Sequence, residues 1–469
     1  MAADSRSGSK GREMSTAFQK AASVLEFSSP FEMRGTVTDV KGLIIEGTGP
    51  FVSVGSTVDI HSGSHVIQAQ VVGFKKDRIL VMPFGEPQGL APGAAITATG
   101  LESHIPVGPH LLGRVIDGMG RPLDGKPLIP GGEAVPVFRD PPNPVSRRRV
   151  SEPFDLGVRA MNGFLTMGEG QRMGIMAGSG VGKSTLLGMI AKHSTSEVNV
   201  IGLIGERGRE VREFIERDLG PEGLKRSVVV VATGNESALM RIRASLYATA
   251  LSEYFRDQGR KVVLMLDSVT RLAMAQREIG LAIGEPPSTR GYTPSVFSLL
   301  PKLLERAGTT EGEGSITALY TVLVEGDDMN EPVADAVRGI LDGHVVLDRS
   351  LASKGHFPAI DILQSTSRVM NDLAPSQFID IASQARDILA TYRETEDLIT
   401  IGAYKAGQNP RVDRAVGAID NLNAFLRQKP DERVSLEESC KGLIGVVEQA
   451  NQKVKELYKR SSSEQSQGA

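Results

Sequence analysis

Residues 176–185 read MAGSGVGKST, a glycine-rich loop that ends in a lysine and two hydroxyl residues. Glycines let the backbone turn so that its N–H groups point at phosphate oxygens, and a helix start adds a partial positive charge. The lysine of such a loop reaches the outer phosphates, and the hydroxyl after it faces magnesium. We therefore predict a nucleotide site with Ser184 also as a metal ligand, formed by Gly178, Ser179, Gly180, Val181, Gly182, Lys183, Ser184 and Thr185. Ala177 stands where the usual pattern has glycine.

Glu206 is the residue that could turn phosphate binding into hydrolysis. It lies in GLIGERGREVREF, just after a strand-like run, and the carboxyl ends of parallel strands line the ligand crevice of an α/β sheet. A carboxylate there can polarise an attacking water, with Arg207 beside it able to contact phosphate. The alternative is a surface salt-bridge cluster, because charged residues of both signs continue through the segment.

Asp267 is a second candidate carboxylate. It ends the very apolar run KVVLMLD, which is where a carboxylate that holds magnesium through water is expected. An aspartate at this position could instead serve only as a helix cap. Arg271, one turn further on, either faces the site or forms an ordinary ion pair on the helix surface.

A parallel sheet would bring these residues together. Six apolar runs are typical of strands: QRMGIMA, NVIGLIG, SVVVVAT, KVVLMLD, SITALYTVLV and HVVLD. Helical segments alternate with these runs, which predicts an α/β core with a parallel sheet covered by helices. Before this core, short runs broken by glycines about every eight to twelve residues predict a small β-barrel. After residue 375 the strand pattern gives way to helical segments.

We expect four regions along the chain. They are a disordered tail with an amphipathic helix at 1–26, the barrel at 27–98, the nucleotide-binding core at 99–375 and a helical domain at 376–469. Phe18, Ala21, Ala22 and Leu25 lie on one face of the short first helix, which either packs on this chain or docks on a partner. His61 and His65 are expected in a solvated turn, and Arg147, Arg148 and Arg149 in a solvated linker.

Composition restricts the class of protein. The chain has 469 residues, 40% hydrophobic and 23% charged, and no apolar run approaches the roughly 20 residues that span a bilayer. A net charge of -3 gives no global basic field for nucleic acid, so we expect no nucleic-acid partner. One cysteine, Cys440, excludes an internal disulfide, and with no leader-like start the protein is expected in the cytoplasm.

The sequence resembles the type III protein-export ATPases, in particular their flagellum-specific branch, which are related to the catalytic subunit of rotary ATP synthases. The likeness runs from about residue 30 to 430 and rests on long motifs, among them AGSGVGKST, GERGREVREF, LDSVTRLAMAQREIG, EPPSTRGYTPSVFSLLPKLLERAG and HFPAIDILQSTSRV. Alanine at the first loop position also occurs in that family. The resemblance implies a RecA-like P-loop NTPase core of the α/β class, with an N-terminal six-stranded β-barrel and a C-terminal helical domain.

The resemblance also implies roles for single residues. Glu206 becomes the catalytic carboxylate, and Arg368 in STSRV becomes an arginine finger that reaches the neighbouring subunit's site. Phe357 in HFPA matches the aromatic that stacks on adenine, although a core aromatic is the alternative. Tyr404 is a weaker candidate for the other side of the base. The loop EPPSTRGY would line a central pore, or be an ordinary surface loop.

The resemblance implies hydrolysis of ATP, with Mg²⁺ as the metal, in a homo-hexamer at the inner-membrane base of the flagellum. This hydrolysis would drive release, unfolding and export of flagellar proteins. The implied partners are a cytoplasmic export regulator at the N-terminal helix, a central stalk protein in the ring pore, export substrates and chaperones, and the membrane export gate, which the ring meets peripherally. The alternatives are a virulence-type secretion ATPase, a rotary ATP synthase subunit and an RNA translocase. The rotary subunit's acidic DELSEED signature and the RNA translocase's barrel of interleaved aromatic and basic residues are both missing from this sequence.

Overall fold

The computed structural model describes residues 34–100, 104–127, 131–324, 326 and 328–467, and it divides the chain into two compact units after Ser103. The amphipathic helix predicted within residues 1–26 lies outside the described residues. The predicted domain boundaries at residues 98 and 375 stay predictions. Within the described part of the chain, no helix is both long and apolar enough to cross a membrane.

The first unit contains a closed six-stranded β-barrel, as predicted. Its antiparallel strands follow the order β1-β2-β5-β4-β3-β6. Side chains alternate between solvent and a core that includes Val58, Ile60, Val81 and Ile96. The strands are β1 Arg34–Lys41, β2 Ile44–Gly47, β3 Thr57–Ser62, β4 His65–Lys75, β5 Arg78–Pro83 and β6 Ala95–Gly100.

His61 and His65 flank the tight turn between β3 and β4, and both are exposed. The Nε2 atom of His61 lies 2.9 Å from the Thr97 hydroxyl. Among the residues that the structure describes, no group of three or more His, Cys, Asp or Glu could hold a metal ion. The two histidines therefore lie at the ends of a solvent-exposed turn, as predicted.

The second unit is built on a nine-stranded sheet. The main order is β19-β18-β12-β17-β15-β13-β14-β8, with β16 paired to β17. Pairing is parallel from β18 to β8, whereas β19 and β16 run antiparallel to their neighbours. The strands of this unit are β7 His104–Val107, β8 Arg114–Asp117, β9 Glu133–Pro136, β10 Pro153–Phe154, β11 Met167–Gly168, β12 Arg172–Ala177, β13 Val198–Ile204, β14 Ser227–Ala232, β15 Lys261–Asp267, β16 Gly308–Thr309, β17 Ser315–Leu323, β18 Gly343–Leu347 and β19 Ile360–Ser367.

Helices cover the sheet and form the C-terminal part of the unit. Helix α5 packs on β13, β14 and β15, and the last three helices pack on one another, with α13 also against α1. The helices are α1 Arg159–Phe164, α2 Lys183–His193, α3 Gly208–Glu213, α4 Gly220–Lys225, α5 Ala238–Asp257, α6 Val269–Ile283, α7 Pro294–Leu304, α8 Pro332–Ile340, α9 Arg349–Ser353, α10 Met370–Leu373, α11 Ser376–Thr400, α12 Pro410–Leu426 and α13 Leu436–Gln467, with a π-helical turn at Phe214–Leu219 and 3₁₀ turns at Pro109–Leu111 and Thr289–Gly291.

The six predicted core strands are all present, as β12, β13, β14, β15, β17 and β18. Every side chain of β13 and β14 is buried, which explains why their runs are apolar on both faces. Parallel pairing places the carboxyl ends of β12, β13 and β15 at one edge of the sheet. Because β19 runs antiparallel, its carboxyl end lies at the opposite edge.

The prediction of a solvated linker at residues 147–149 is wrong for Arg147, which is partly buried, whereas Arg148 and Arg149 are exposed. Arg147 donates to the Ala307 carbonyl at 2.8 Å and also to the Glu305 carbonyl. Arg148 donates to the Glu313 carbonyl at 2.7 Å. These guanidinium groups donate to carbonyls beyond the end of α7, so they tie the segment at residues 147–149 to the chain that follows this helix.

Candidate active site

The glycine-rich loop joins β12 to α2. Ala177 is buried at the end of the strand, and Gly180 and Gly182 have φ angles of +77° and +91°, which favour glycine. Helix α2 begins at Lys183, and its cap residue Gly182 has no side chain to bond the first N–H groups. Those N–H groups are therefore available to an anion.

The Lys183 ammonium lies between two carboxylates. Its Nζ is 2.5 Å from Asp267 Oδ1 and 3.1 Å from Glu206 Oε1, and all three side chains are largely buried. Burial opposes the charge on the lysine, but the attraction of Asp267 and then of Glu206 outweighs it and raises the pKa of Lys183. The cation predicted to reach phosphate and the two predicted carboxylates therefore share one site.

Glu206 follows β13 and one glycine, Gly205, whose φ is +72°. Burial raises the pKa of Glu206; the Lys183 charge acts against this, and the neighbouring Glu210 carboxyl adds to it. Ser184, Glu206, Glu210 and Asp267 line one small cleft. The interpretation of Glu206 as part of a surface salt-bridge cluster is wrong, because its partner is the buried Lys183. Sequence reasoning missed the site position of Glu210, which lies in the first turn of α3, four residues after Glu206.

Asp267 is held from the neighbouring strand. The hydroxyl of Thr321 on β17 donates to its Oδ1 at 2.6 Å, and Asp267 is 3% exposed. The cap of α6 is Ser268, whose hydroxyl accepts the N–H of Arg271. The alternative that Asp267 serves only as a helix cap is therefore wrong. Thr321 could not be found by spacing, since it comes from a strand 54 residues away along the chain.

Two arginines near Glu206 differ in placement. The Arg207 side chain is 87% exposed, and its NH1 lies 3.7 Å from Glu210 Oε1, so the structure does not bring it into the buried cluster. Arg271 lies over Gly205, where a β-carbon would come within 2.8 Å of the arginine side chain. Arg271 therefore faces the Glu206 loop.

Of the two aromatic candidates, one is at the loop. The Phe357 ring lies 3.5 Å from where a β-carbon on Gly182 would be, and the residue is 45% exposed. The alternative of a core aromatic is therefore wrong for Phe357. The Tyr404 hydroxyl instead donates to Asp413 Oδ1 at 2.9 Å and lies 3.0 Å from the Asn409 carbonyl, near the start of α12. These contacts place it in the helical region and do not bring it to the loop.

Arg368 lies far from the loop of its own chain. It follows β19, and its N–H donates to the Asp342 carbonyl, while the Asp342 N–H donates to the carbonyl of Arg172 at the start of β12. The glycine-rich loop follows the other end of β12, about 17 Å away at the usual rise of a strand. The exposed Arg368 side chain is therefore separated from its own Lys183 by the height of the sheet.

Comparison with known proteins identifies the family. The nucleotide-binding domain of the ATP synthase alpha/beta family matches residues 157–367, and the beta-barrel domain of that family matches residues 34–100. The T3SS EscN ATPase C-terminal domain matches residues 374–445. The flagellum-specific ATP synthase of Bacillus subtilis strain 168 is 55% identical over 432 residues, which cover 92% of this chain and 98% of that protein. The chain belongs to the flagellar and type III secretion ATPases of this family.

Both branches of these ATPases are similar to the chain. The type 3 secretion system ATPase of Sinorhizobium fredii is 51% identical over 87% of this chain and 90% of its own length. The assembled ATPase EscN of the enteropathogenic E. coli secretion system superposes with a TM-score of 0.83 at 44% identity, covering 88% of this chain and 100% of EscN. A second EscN structure, with its central stalk EscO, gives a TM-score of 0.82. The predicted family, fold class and ATPase activity are confirmed.

Proposed function

We propose that this chain is the ATPase of a flagellar type III export apparatus, which hydrolyses ATP in a homo-hexameric ring to drive release, unfolding and export of flagellar proteins. The observation that carries the catalytic part is the Lys183 ammonium held between Glu206 and Asp267 beside the glycine-rich loop. This arrangement supports a site in which Lys183 binds phosphate, Glu206 activates water and Asp267 binds the metal.

In the proposed reaction, residues Gly178 to Thr185 bind the phosphates of ATP through backbone N–H groups and the Lys183 ammonium. The triphosphate competes for Lys183, because it carries more negative charge than the two carboxylates. Glu206, whose pKa is already raised by burial, then orients and polarises the attacking water. The water oxygen bonds to the terminal phosphorus as the bond to the ADP oxygen breaks, and the water proton passes toward Glu206. Arg207 is exposed and free to turn toward the phosphates.

The donor set fits magnesium. The Ser184 hydroxyl and the Asp267 carboxylate are hard oxygen ligands at the same cleft. Mg²⁺ in nucleotide sites is held by one or two protein oxygens, substrate phosphates and water, which agrees with two oxygen donors and no dedicated carboxylate cage. When bound, Mg²⁺ would neutralise charge on the phosphates, and the Thr321 hydroxyl holds the Asp267 carboxylate in place.

We propose Phe357 as the residue that stacks on adenine, since its exposed ring lies against Gly182 of the loop. Tyr404 is proposed for the other side of the base. It would have to give up or share its hydrogen bonds to Asp413 and Asn409, unless only its ring face is used.

Arg368 is proposed to act on the site of a neighbouring subunit. Its position at the opposite edge of the sheet from Lys183 supports this, because an arginine side chain is too short to cross the sheet. Its exposure supports it as well, since the guanidinium is accessible to a second chain. A cation in this role stabilises charge in the transition state and is worth about 10³ to 10⁵ in rate.

The partners are proposed from the family. A cytoplasmic export regulator would bind the N-terminal helix within residues 1–26, and a central stalk protein would meet the ring pore, as EscO does with EscN. The loop EPPSTRGY is the proposed pore surface; its Arg290 is half exposed and pairs with Asp328 at 2.7 Å. Export substrates, their chaperones and the membrane export gate are further proposed partners. The ring is proposed to lie in the cytoplasm at the base of the flagellum. No nucleic-acid partner is proposed.

Complementation tests the flagellar assignment. The chain is expressed in Bacillus subtilis that lacks its own flagellum-specific ATP synthase, with the Glu206→Gln chain as control. We expect the unchanged chain to restore flagellar filaments and motility, and the control to be expressed but inactive. A chain that is stable and hydrolyses ATP, yet restores no filaments there and supports a virulence-type system instead, would assign it to the other branch.

A further inference from the structure

A fully buried glutamine lies beside the arginine finger. Gln171, 0% exposed, directly precedes β12. Its Nε2 donates to the Ser367 hydroxyl at 3.1 Å and to the Asp342 carbonyl at 3.3 Å, and its Oε1 accepts the Gly168 N–H at 3.0 Å. All hydrogen-bonding groups of the amide are thus used, as a buried amide requires.

Both acceptors of this amide border Arg368. Ser367 is the residue before it, and the Ser367 hydroxyl donates onward to the Thr166 carbonyl at 3.0 Å. The Asp342 carbonyl accepts the Arg368 N–H at 2.9 Å. Gln171 therefore joins the end of β19 to the start of β18, at the point from which Arg368 leaves the sheet.

Asp342 is itself held firmly. Its carboxylate accepts Arg172 Nε and NH2, each at 3.1 Å, and the Arg172 N–H at 3.0 Å. Arg172 also pairs with Glu305. Such two-pronged arginine pairs fix geometry as well as charge.

The guanidinium of Arg368 is held much more loosely than its backbone. Among the described residues its hydrogen bond goes to the Arg338 carbonyl in the last turn of α8, at 3.1 Å. A helix end of this kind favours a cation only weakly at an exposed site. The backbone of Arg368 is fixed, while its charged end can leave for another acceptor.

We propose that Gln171 is the positioning residue of Arg368: its buried amide sets the direction in which the finger leaves the sheet toward the neighbouring subunit. This rests on the proposed action of Arg368 in the neighbour's site. Because Gln171 directly precedes the strand that leads into the chain's own glycine-rich loop, a purely local role is the competing explanation. In that case a substitution would damage the chain's own site.

Mixed rings separate the two explanations. Gln171→Leu removes the amide at nearly the same volume, and ring ATPase activity is measured for this full-length chain alone and mixed with the Glu206→Gln chain. For the Gln171→Leu chain alone, we expect kcat to fall about 10- to 100-fold, with little change in KM for ATP. A fall of this size is expected when a catalytic group is misplaced. In mixed rings the intact site of the Gln171→Leu chain meets the intact finger of the Glu206→Gln chain. Activity should rise well above the mean of the unmixed proteins.

Two variants serve as controls. Thr317→Val removes a buried hydroxyl that accepts the N–H of Gly170, next to Gln171, and touches neither Ser367 nor Asp342; its kcat should stay near that of the unchanged chain. Ser367→Ala removes one partner of the amide and should lower kcat in the same way but less, which keeps the test open if Gln171→Leu does not fold.

Mixed rings of the Arg368→Ala chain and the Glu206→Gln chain distinguish a failure of the positioning role from a failure of the finger itself. If this pair regains activity and the Gln171→Leu and Ser367→Ala pairs do not, the positioning role is wrong while the finger stands. If the Arg368→Ala pair also stays inactive, the action of Arg368 in the neighbour's site is wrong, and the positioning proposal falls with it.

Discussion

At the scale of single residues, the site is organised by one buried cation with two anions. Lys183 and the acids Glu206 and Asp267 were predicted from three separate motifs, and the structure brings them within hydrogen-bond distance. Their neighbours Glu210 and Thr321 were not predicted. Glu210 looked like one more charge in a charged helix, and Thr321 belongs to a strand whose pairing with β15 is a property of the sheet and not of local sequence.

Glu206→Gln tests the base. The amide keeps the size of the side chain and can still lie beside Lys183, but it cannot accept a proton. We expect ATP binding to be retained and turnover to fall by about 10² to 10⁴, the usual contribution of a general base. Equilibrium binding of ATP and steady-state hydrolysis are measured on the same preparation. Turnover that survives the change would place the base elsewhere.

The pH profile tests the environment of the same residue. Burial raises the pKa of Glu206 above its ordinary value of 4.5, and a base acts only when deprotonated. We therefore expect kcat/KM to fall as pH drops through this raised pKa, at a higher pH than an exposed glutamate would give. The profile is measured from about pH 4 to about pH 8, and kcat/KM is used because it reports the free enzyme. An acid limb no higher than the ordinary 4.5 would contradict the raised pKa.

Phe357→Ala tests the adenine contact. Loss of stacking weakens ground state and transition state alike, so KM for ATP should rise about tenfold with kcat nearly unchanged. Phe74→Ala is the matched control, since Phe74 is 54% exposed in the barrel unit and is expected to leave KM unchanged. Equal effects of the two changes would show that Phe357 has no special role in binding the base.

At the scale of elements, the sheet was predictable where strands are buried on both faces. The six runs rich in β-branched and other apolar residues identified β12, β13, β14, β15, β17 and β18, most of whose side chains are buried. Strand β8 has only four residues within a stretch rich in glycine and proline, and β19 contains polar residues at its exposed end. Neither has the apolar pattern, so the strand that precedes Arg368, and its antiparallel direction, had to come from the structure.

Asp124 tests how the edge strand β8 is held. Arg114 on this strand donates from Nε and NH2 to the two Asp124 oxygens at 2.7 and 3.0 Å, which lowers the pKa of Asp124 to about 2. The ordinary pKa of an aspartate is 3.8. The stabilisation from the Arg114–Asp124 pair is therefore present above about pH 4 and is lost as the pH falls toward about 2. Asp124→Asn should lower the free energy of unfolding by about 2 kcal/mol at neutral pH. It should also flatten the dependence of the apparent melting temperature on acid pH. An unchanged melting temperature would contradict this.

At the scale of the whole molecule, the proposed site residues of one chain lie at two opposite edges of the sheet. Lys183, Glu206 and Asp267 lie at the carboxyl edge of the parallel strands, while Arg368 lies at the opposite edge, held by Gln171 and Asp342. In the proposed ring, the Arg368 of each chain would act at the glycine-rich loop of the next. The motif STSRV indicates a finger by resemblance, and the antiparallel direction of β19 supports the proposal that Arg368 acts outside its own site.

The most direct test of this account is the ATPase activity per subunit as protein concentration rises through the range where rings form, followed together with oligomer mass. The unchanged chain should become more active per subunit as rings form, because each site then gains an Arg368 from its neighbour. The Arg368→Ala chain should form rings with the same concentration dependence and stay as slow as the monomer. A specific activity that stays flat while rings form, or an Arg368→Ala ring as active as the unchanged one, would contradict a site shared between two chains.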